Sequence, residues 1–140
     1  MDKKIIIGAV VIVLLGIAYY LLSPLFIVKT ANDIPPAGNS VLSGALVPSA
    51  HDVSGSVSVI GENGQRTLRF ENLDTINGPD LFIYLATDTT AADFVNLGEI
   101  KATQGNVNYE IPAGIDLTKY KFVLIWCRQF RVLFSYAELE

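Results

Sequence analysis

An unbroken apolar stretch over residues 5–22 dominates the start of the chain, and it contains neither a charge nor a proline. As a helix rising about 1.5 Å per residue it would span roughly 27 Å, close to the hydrocarbon core of a bilayer at about 30 Å. Tyr19 and Tyr20 lie near its C-terminal end, a position where aromatic rings favour the headgroup level. The pattern therefore predicts one transmembrane helix.

A cleaved signal peptide is the alternative for this stretch. The apolar part of a signal peptide usually runs about 7–15 residues and ends in a small-x-small cleavage site. Here the apolar stretch is longer, and Ser23-Pro24-Leu25-Phe26 is a poor cleavage site. We therefore expect residues 1–28 to be an uncleaved anchor. Because Lys3 and Lys4 precede the helix, the positive-inside rule predicts a single-pass protein of the cell membrane with a cytoplasmic N-terminus and an extracytoplasmic domain.

The pattern changes after the anchor. Residues 29–39 contain Pro35-Pro36, which disfavours helix and favours extended backbone, so this segment is predicted to be a linker. Residues 40–140 then form one β-domain, long enough to bury a modest core without disulfides.

Within that domain, apolar and polar positions alternate with the period of two that is typical of strands. The valines of residues 53–59 alternate with serines, and the Asn63-Gly64 pair that follows is a strong hairpin signal. In the return strand, residues 67–70, Leu68 and Phe70 are predicted to face inward and Arg69 outward.

Two further segments are apolar at every position, namely residues 81–85 and 122–127, and both are predicted to be strands buried on both faces. Residues 131–137 are predicted to pair with the second of them. Short strands separated by Gly, Pro and Asn turns predict an all-β fold, an antiparallel sandwich or barrel-like domain preceded by one transmembrane helix.

Charge and ligand-forming residues exclude several classes of function. From residue 40 onward, 7 basic residues stand against 12 acidic ones, and such a surface repels nucleic acid. Zinc and blue-copper sites need several Cys or His ligands, whereas the chain has only Cys127 and His51, so no metal site is predicted. Without a nucleophile motif either, an enzyme with its own substrate is the least supported class.

Cys127 is the main candidate functional residue, and His51 is the second. A lone cysteine forms no intramolecular disulfide, so Cys127 is either buried packing or a functional thiol. Trp126 and Cys127 are neighbours in a predicted strand and therefore point to opposite faces. His51 either pairs with Cys127 or lies at the start of a strand with its hydrogen bonds satisfied.

Several segments of residues 43–139 form a recognisable series. They are His51-Asp52-Val53-Ser54-Gly55-Ser56-Val57, Leu68-Arg69-Phe70-Glu71-Asn72-Leu73, Gly78-Pro79-Asp80-Leu81-Phe82-Ile83-Tyr84-Leu85, Asn96-Leu97-Gly98-Glu99-Ile100-Lys101, Gly105-Asn106-Val107-Asn108-Tyr109-Glu110-Ile111-Pro112 and Val123-Leu124-Ile125-Trp126-Cys127-Arg128-Gln129-Phe130. In residue type and in order they resemble the DM13 domain family, and the Trp-Cys-x-x-Phe element is the most diagnostic part.

The resemblance implies a small extracytoplasmic β-domain of the kind found alone or beside DOMON and cytochrome b561-type modules. It also implies electron transfer with a cytochrome or another redox protein as partner, and with Cys127 as a bare thiol or as the ligand of a group such as haem. His51 is the other candidate ligand. The alternative hypothesis is a non-catalytic extracellular binding or adhesion module in which Cys127 is structural.

Overall fold

The computed structural model describes residues 2–140. Its long helix, α1, spans Lys3–Leu22 and continues into a single 3-10 turn, Ser23–Phe26. The most apolar 18-residue window of this segment has a mean hydropathy of 2.8, and none of that window is buried against the rest of the chain. The predicted helix is therefore present, and it is long and apolar enough to cross a membrane.

Ten strands follow this helix. They are β1 (Thr30–Asn32), β2 (Asn39–Ala45), β3 (Val47–Pro48), β4 (Val53–Glu62), β5 (Gln65–Thr75), β6 (Leu81–Ala86), β7 (Phe94–Glu99), β8 (Gln104–Ile111), β9 (Phe122–Cys127) and β10 (Val132–Glu138).

The strands form two five-stranded sheets. The first sheet has the order β1-β8-β5-β4-β2, and the second has the order β3-β10-β9-β6-β7. Every neighbouring pair is antiparallel except β1 and β8, which run parallel. The inward residues of both sheets, including Leu68, Phe70, Ile83 and Ile125, form one buried hydrophobic core. The predicted all-β fold is confirmed, as a sandwich.

The predicted hairpin is also present, with one difference on its outer face. β4 and β5 pair up to Glu62 opposite Gln65, around Asn63-Gly64. Arg69 faces outward as predicted, yet it is only 4% exposed. Its guanidinium donates to the Oε1 of Glu71 and the Oδ1 of Asn108, both at 2.9 Å, and to the carbonyl of Asp33 at 3.2 Å. The segment that follows β1 therefore covers this part of the sheet.

β1 lies within residues 29–39, the segment predicted to be a linker, and it is hydrogen-bonded to the domain. The backbone N–H groups of Thr103 and Gln104 both donate to the carbonyl of Lys29, at 2.7 and 3.0 Å. The N–H of Asp33 donates to the carbonyl of Asn106 at 2.9 Å. Only residues 27–29 separate the 3-10 turn from β1, so the connection between helix and sheet is short.

One end of the sandwich, which we call the anchor end, receives the chain from the helix. β1 begins there, and so do β4, β6, β8 and β10, whereas β5 and β9 end there. The loops at this end are residues 49–52, 76–80, 100–103 and 128–131. Leu25, Ile27 and Val28 line a shallow cavity together with residues of the first three of these loops, so the chain leaving the helix lies against them.

Buried Tyr109 is expected to make the folded domain less stable at alkaline pH. Burial raises the pKa of its hydroxyl to about 12, although the hydroxyl accepts the N–H of Lys101 at 2.8 Å, which acts in the opposite direction. An unfolded chain loses this proton near pH 10, so between about pH 10 and 12 only the unfolded state deprotonates and the folded state loses stability.

We expect the free energy of unfolding to fall by about 2–3 kcal/mol across this interval because of Tyr109. Urea unfolding at a series of pH values would measure it, with Tyr109→Phe as the comparison. A fall of the same size in Tyr109→Phe would assign the alkaline transition to other groups.

Candidate functional site

Cys127 ends β9 with its side chain in the sandwich core. It is 1% exposed, and its register partners are Leu81 in β6 and Val132 in β10. Its neighbour Trp126 points to the opposite face of the sheet and is half-buried there. The thiol is therefore sealed from solvent in this fold, while the indole is accessible.

His51 lies in an anchor-end loop and packs on an aromatic ring. Its imidazole is 4.1 Å, centroid to centroid, from the ring of Phe134, and its backbone N–H donates to the Phe134 carbonyl at 3.3 Å. Within residues 2–140, no hydrogen bond joins His51 to Cys127. The structure therefore does not form a thiol–imidazole pair.

The surroundings of Cys127 do not fit a haem or a metal ion. Cys127 lines none of the five main cavities of the described chain. No group of three or more Cys, His, Asp or Glu side chains in residues 2–140 could hold a metal ion. A haem plane needs an open pocket beside its axial ligand, and the core around Cys127 offers none.

A second apolar cluster covers the outer face of the second sheet, and we call this surface the aromatic face. Because side chains alternate along a strand, β6 and β9 place alternate residues here while their other residues form the core. The cluster consists of Phe82, Tyr84, Ala86 and Leu124, with Ala91, Phe122, Trp126, Leu133 and Tyr136 packed around it. β6 is therefore buried along its whole length, as predicted.

Three rings on the aromatic face form a continuous stack. Tyr84 lies nearly parallel to Phe94 at 4.1 Å between centroids, and it lies 6.4 Å from Trp126 with an interplanar angle of 27°. The stack crosses three neighbouring strands, with Phe94 on β7, Tyr84 on β6 and Trp126 on β9. It borders an open cavity of about 440 Å³, which we call the aromatic cavity.

Two arginines complete the aromatic cavity at its anchor end. Arg128 donates through Nε and Nη2 to the two carboxylate oxygens of Asp80, at 3.1 and 3.2 Å, and its guanidinium lies 4.2 Å from the centroid of the Phe82 ring. Arg131 also lines the cavity, and in the part of the chain that the structure describes it makes no salt bridge. The cavity therefore has aromatic walls and a positive edge.

Tyr84 is held in its neutral form by this environment. Burial raises the pKa of its hydroxyl above the ordinary value, the charge of Arg128 opposes that rise, and the carboxylate of Asp80 adds to it. A neutral phenol keeps its hydrogen for donation to a group in the aromatic cavity.

Sequence reasoning identified β9 and its Trp-Cys pair but not the cavity beside it. Tyr84 lay within a segment predicted to be buried, and Phe94 came from a segment for which no strand was predicted. The signal for Tyr84 was present, because strand alternation places it on the same face as Phe82. Nothing in the sequence indicated that β7 would bring Phe94 alongside it.

Comparisons with known proteins agree with this geometry at the level of the family. The sequence profile described as "Electron transfer DM13" matches residues 45–139. No curated protein and no solved structure matches the chain significantly. The matched segment covers more than half of the chain, from the last residue of β2 to the residue after β10, and includes the Trp126-Cys127 element. The chain therefore belongs to the DM13 family of electron-transfer domains.

Proposed function

We propose that this protein is a membrane-anchored electron-transfer domain that works outside the cytoplasm, and that it binds a planar, anionic redox group in the aromatic cavity. The observation that carries the proposal is the composition of that cavity. Stacked rings bind conjugated planar groups through their faces, and arginine forms bidentate, charge-assisted bonds with carboxylates or phosphates. Phe94 and Trp126 supply partly exposed faces on either side of the buried Tyr84, and Arg131 supplies an uncommitted charge.

The size and openness of the aromatic cavity also suit this role. Its volume of about 440 Å³ lies within the range of about 300–1,000 Å³ that is usual for cofactor and ligand sites. Because one side is open, a bound group would keep an edge towards solvent, where a redox partner such as a cytochrome could approach it.

An extracytoplasmic position rests on the charges that flank the helix. Lys3 and Lys4 precede the apolar span of α1, and the domain that follows it is acidic. Positive residues next to a span favour the cytoplasmic side, so the proposal places the sandwich on the other side.

The predicted redox role of Cys127 has less support from this geometry than the aromatic cavity has. A thiolate must reach its reaction partner to exchange electrons as a nucleophile, and the sulfur is enclosed by core residues. Buried free cysteine commonly serves as a small apolar side chain. The redox group is therefore assigned to the aromatic face, and a variant of Cys127 distinguishes this assignment from one to the thiol.

Binding can be followed directly because Trp126 is the sole tryptophan and lies in the cavity. The full chain in lipid nanodiscs would be titrated separately with haem and with flavin mononucleotide. We expect one of them to quench Trp126 emission at a stoichiometry of one. Arg131→Gln is expected to weaken that binding by about tenfold, the effect of one lost charge-assisted bond.

The matched control is Arg66→Gln, which removes an arginine that lies outside the aromatic cavity. Cys127→Ala should bind as the unaltered chain does, since the sulfur lines no part of the cavity. Loss of binding in Cys127→Ala, with binding retained in Arg131→Gln, would instead support Cys127 as the ligand. If neither compound quenches Trp126, the redox proposal fails.

If neither compound binds, the alternative hypothesis is a non-catalytic binding or adhesion module that contacts its partner through the aromatic face. The observation that favours it is the same open cavity, since exposed aromatic residues with arginine are typical of protein interfaces.

A further inference from the structure

The tip of the β9–β10 hairpin combines an exposed aromatic ring with positive charge. The tip is residues 128–131, and its Phe130 side chain is 52% exposed. Arg128 and Arg131 flank this residue. A phenylalanine exposed to this extent at the end of a hairpin contributes nothing to the core, which raises the question of what it contacts.

The strand register places the hairpin tip at the anchor end. Cys127 pairs with Leu81, which follows the loop of residues 76–80, and that loop follows Thr75 at the end of β5. Thr75 pairs with Val53, and the neighbouring Asp74 pairs with Gln104, which in turn lies opposite Thr30 at the start of β1. The tip therefore projects from the same end of the sandwich at which the chain arrives from α1.

The connection to the helix is too short to hold that end far from a bilayer. Residues 27–29 are the only ones between the 3-10 turn and β1, and at about 3.5 Å per residue they extend about 10 Å at most. Ile27 and Val28 are themselves apolar and more than half exposed. Because Thr30 is already fixed in the sheet by its pairing with Gln104, the whole anchor end must stay close to the membrane surface.

Other exposed apolar side chains lie at this end. Ile76 is 38% exposed in the loop before β6, and Phe26 at the end of the 3-10 turn is 82% exposed. Phenylalanine and isoleucine prefer the interior side of a membrane interface, and arginine at the same level extends its charge back to the headgroups.

From these observations we propose that the anchor end of the domain rests on the bilayer that holds α1, with Phe130 inserted among the lipid headgroups and Arg131 beside their phosphates. The occupant of this surface is the membrane itself, since the short connection keeps the membrane next to it. The inference does not depend on the proposed redox function or on which side of the membrane the domain occupies.

The charges at the anchor end indicate that the hairpin tip contacts the lipid more closely than the rest of this end does. Asp52 and Asp74 lie at the same end beside the first sheet, where they would repel phosphates. Asp80 is nearer the tip, but its carboxylate is held by Arg128. At the tip, Arg131 makes no salt bridge among residues 2–140, so its charge can also reach lipid phosphates on the side of the second sheet. Lys29, next to β1, is a second basic residue at this end without a salt bridge in that range.

Quenching by bromine-labelled lipids tests this contact in the full chain. Phe130→Trp would be made in a Trp126→Phe background, so that a single indole reports from the tip, and reconstituted into nanodiscs of phosphatidylcholine and phosphatidylglycerol with brominated acyl chains. The matched control is Ile34→Trp in the same background. Ile34 is 85% exposed, and its carbonyl accepts the side-chain N–H of Asn108, about halfway along β8 and away from the anchor end.

We expect the brominated lipid to quench the indole of Phe130→Trp several-fold more than that of Ile34→Trp. Equal quenching of the two would overturn the proposal. Ile76→Trp provides a second reporter at the anchor end if Phe130→Trp does not fold, and it too should exceed the control. In the same discs, Arg131→Gln should reduce the quenching of Phe130→Trp, and no reduction would remove Arg131 from the contact.

Discussion

Replacing Gly105 with alanine is expected to separate β1 from β8 and to lower the stability of the domain by about 3–5 kcal/mol. Gly105 has φ of +104°, and a Cβ there would overlap the carbonyl oxygen of Ala31 in β1. The backbone conformation alone costs an alanine about 1–2 kcal/mol. The hydrogen bonds of Thr103, Gln104 and Asp33 to and from the β1 segment would be lost as well, at about 1 kcal/mol each.

Gly98→Ala is the matched control for this change. Gly98 has a similar φ of +115°, but nothing lies within 4 Å of the position of its Cβ. Urea unfolding in detergent, followed by Trp126 emission, should therefore show a loss of only about 1–2 kcal/mol for Gly98→Ala. Hydrogen exchange at the amides of Thr103 and Gln104 should become faster in Gly105→Ala alone. Equal losses of stability in the two variants would show that β1 contributes little.

Replacing Arg69 with methionine is expected to lower the free energy of unfolding by about 3 kcal/mol. The substitution keeps an aliphatic side chain of similar length but removes three hydrogen bonds, to Glu71, Asn108 and the carbonyl of Asp33. The Oδ1 of Asn108 and the carbonyl of Asp33 are part-buried, so water would replace the lost guanidinium poorly at these acceptors. The same urea titration would measure the effect.

Arg66→Met serves as the comparison for Arg69→Met. Arg66 lies in the same strand and makes one described side-chain bond, to the carbonyl of Ile115 at 2.7 Å. Its loss should therefore cost about 1 kcal/mol. A cost for Arg69→Met no greater than that for Arg66→Met would mean that the covering segment does not depend on the buried guanidinium.

Local patterns predicted the strands β4, β5, β6, β9 and β10 of the sandwich, but not β2, β3 or β7. Alternation of valine and serine fixed the faces of β4, and Asn63-Gly64 fixed the position of its hairpin with β5. β1 could not be predicted in this way. It has three residues without an alternating pattern, stands before Pro35-Pro36, and pairs with a strand more than seventy residues later in the chain. The division into anchor, linker and domain accordingly remains a prediction, with a short strand inside the linker.

Arg69 illustrates the same limit at the level of one side chain. Alternation correctly predicted its face, but burial depends on what covers that face, and the covering residues belong to the segment after β1. The candidate site is a second example of what a local pattern fails to predict. Trp126 and Cys127 were predicted to point in opposite directions, as they do, whereas the cavity beside Trp126 also needs Phe94 from β7. The lateral order of strands in a sheet is set by packing between distant segments, which no local pattern records.

The parallel pairing of β1 with β8 also determines how the domain would respond to a pull. With α1 inserted in a membrane, a partner that draws the sandwich away from it would apply tension at the N-terminal end of β1, along the strand axis. The bonds between β1 and β8 then carry the load together in shear rather than breaking one after another. A force on the helix is therefore transmitted through β8 into β5, at the centre of the first sheet. The pairing of β1 with β8 would resist such a force until several hydrogen bonds break at once.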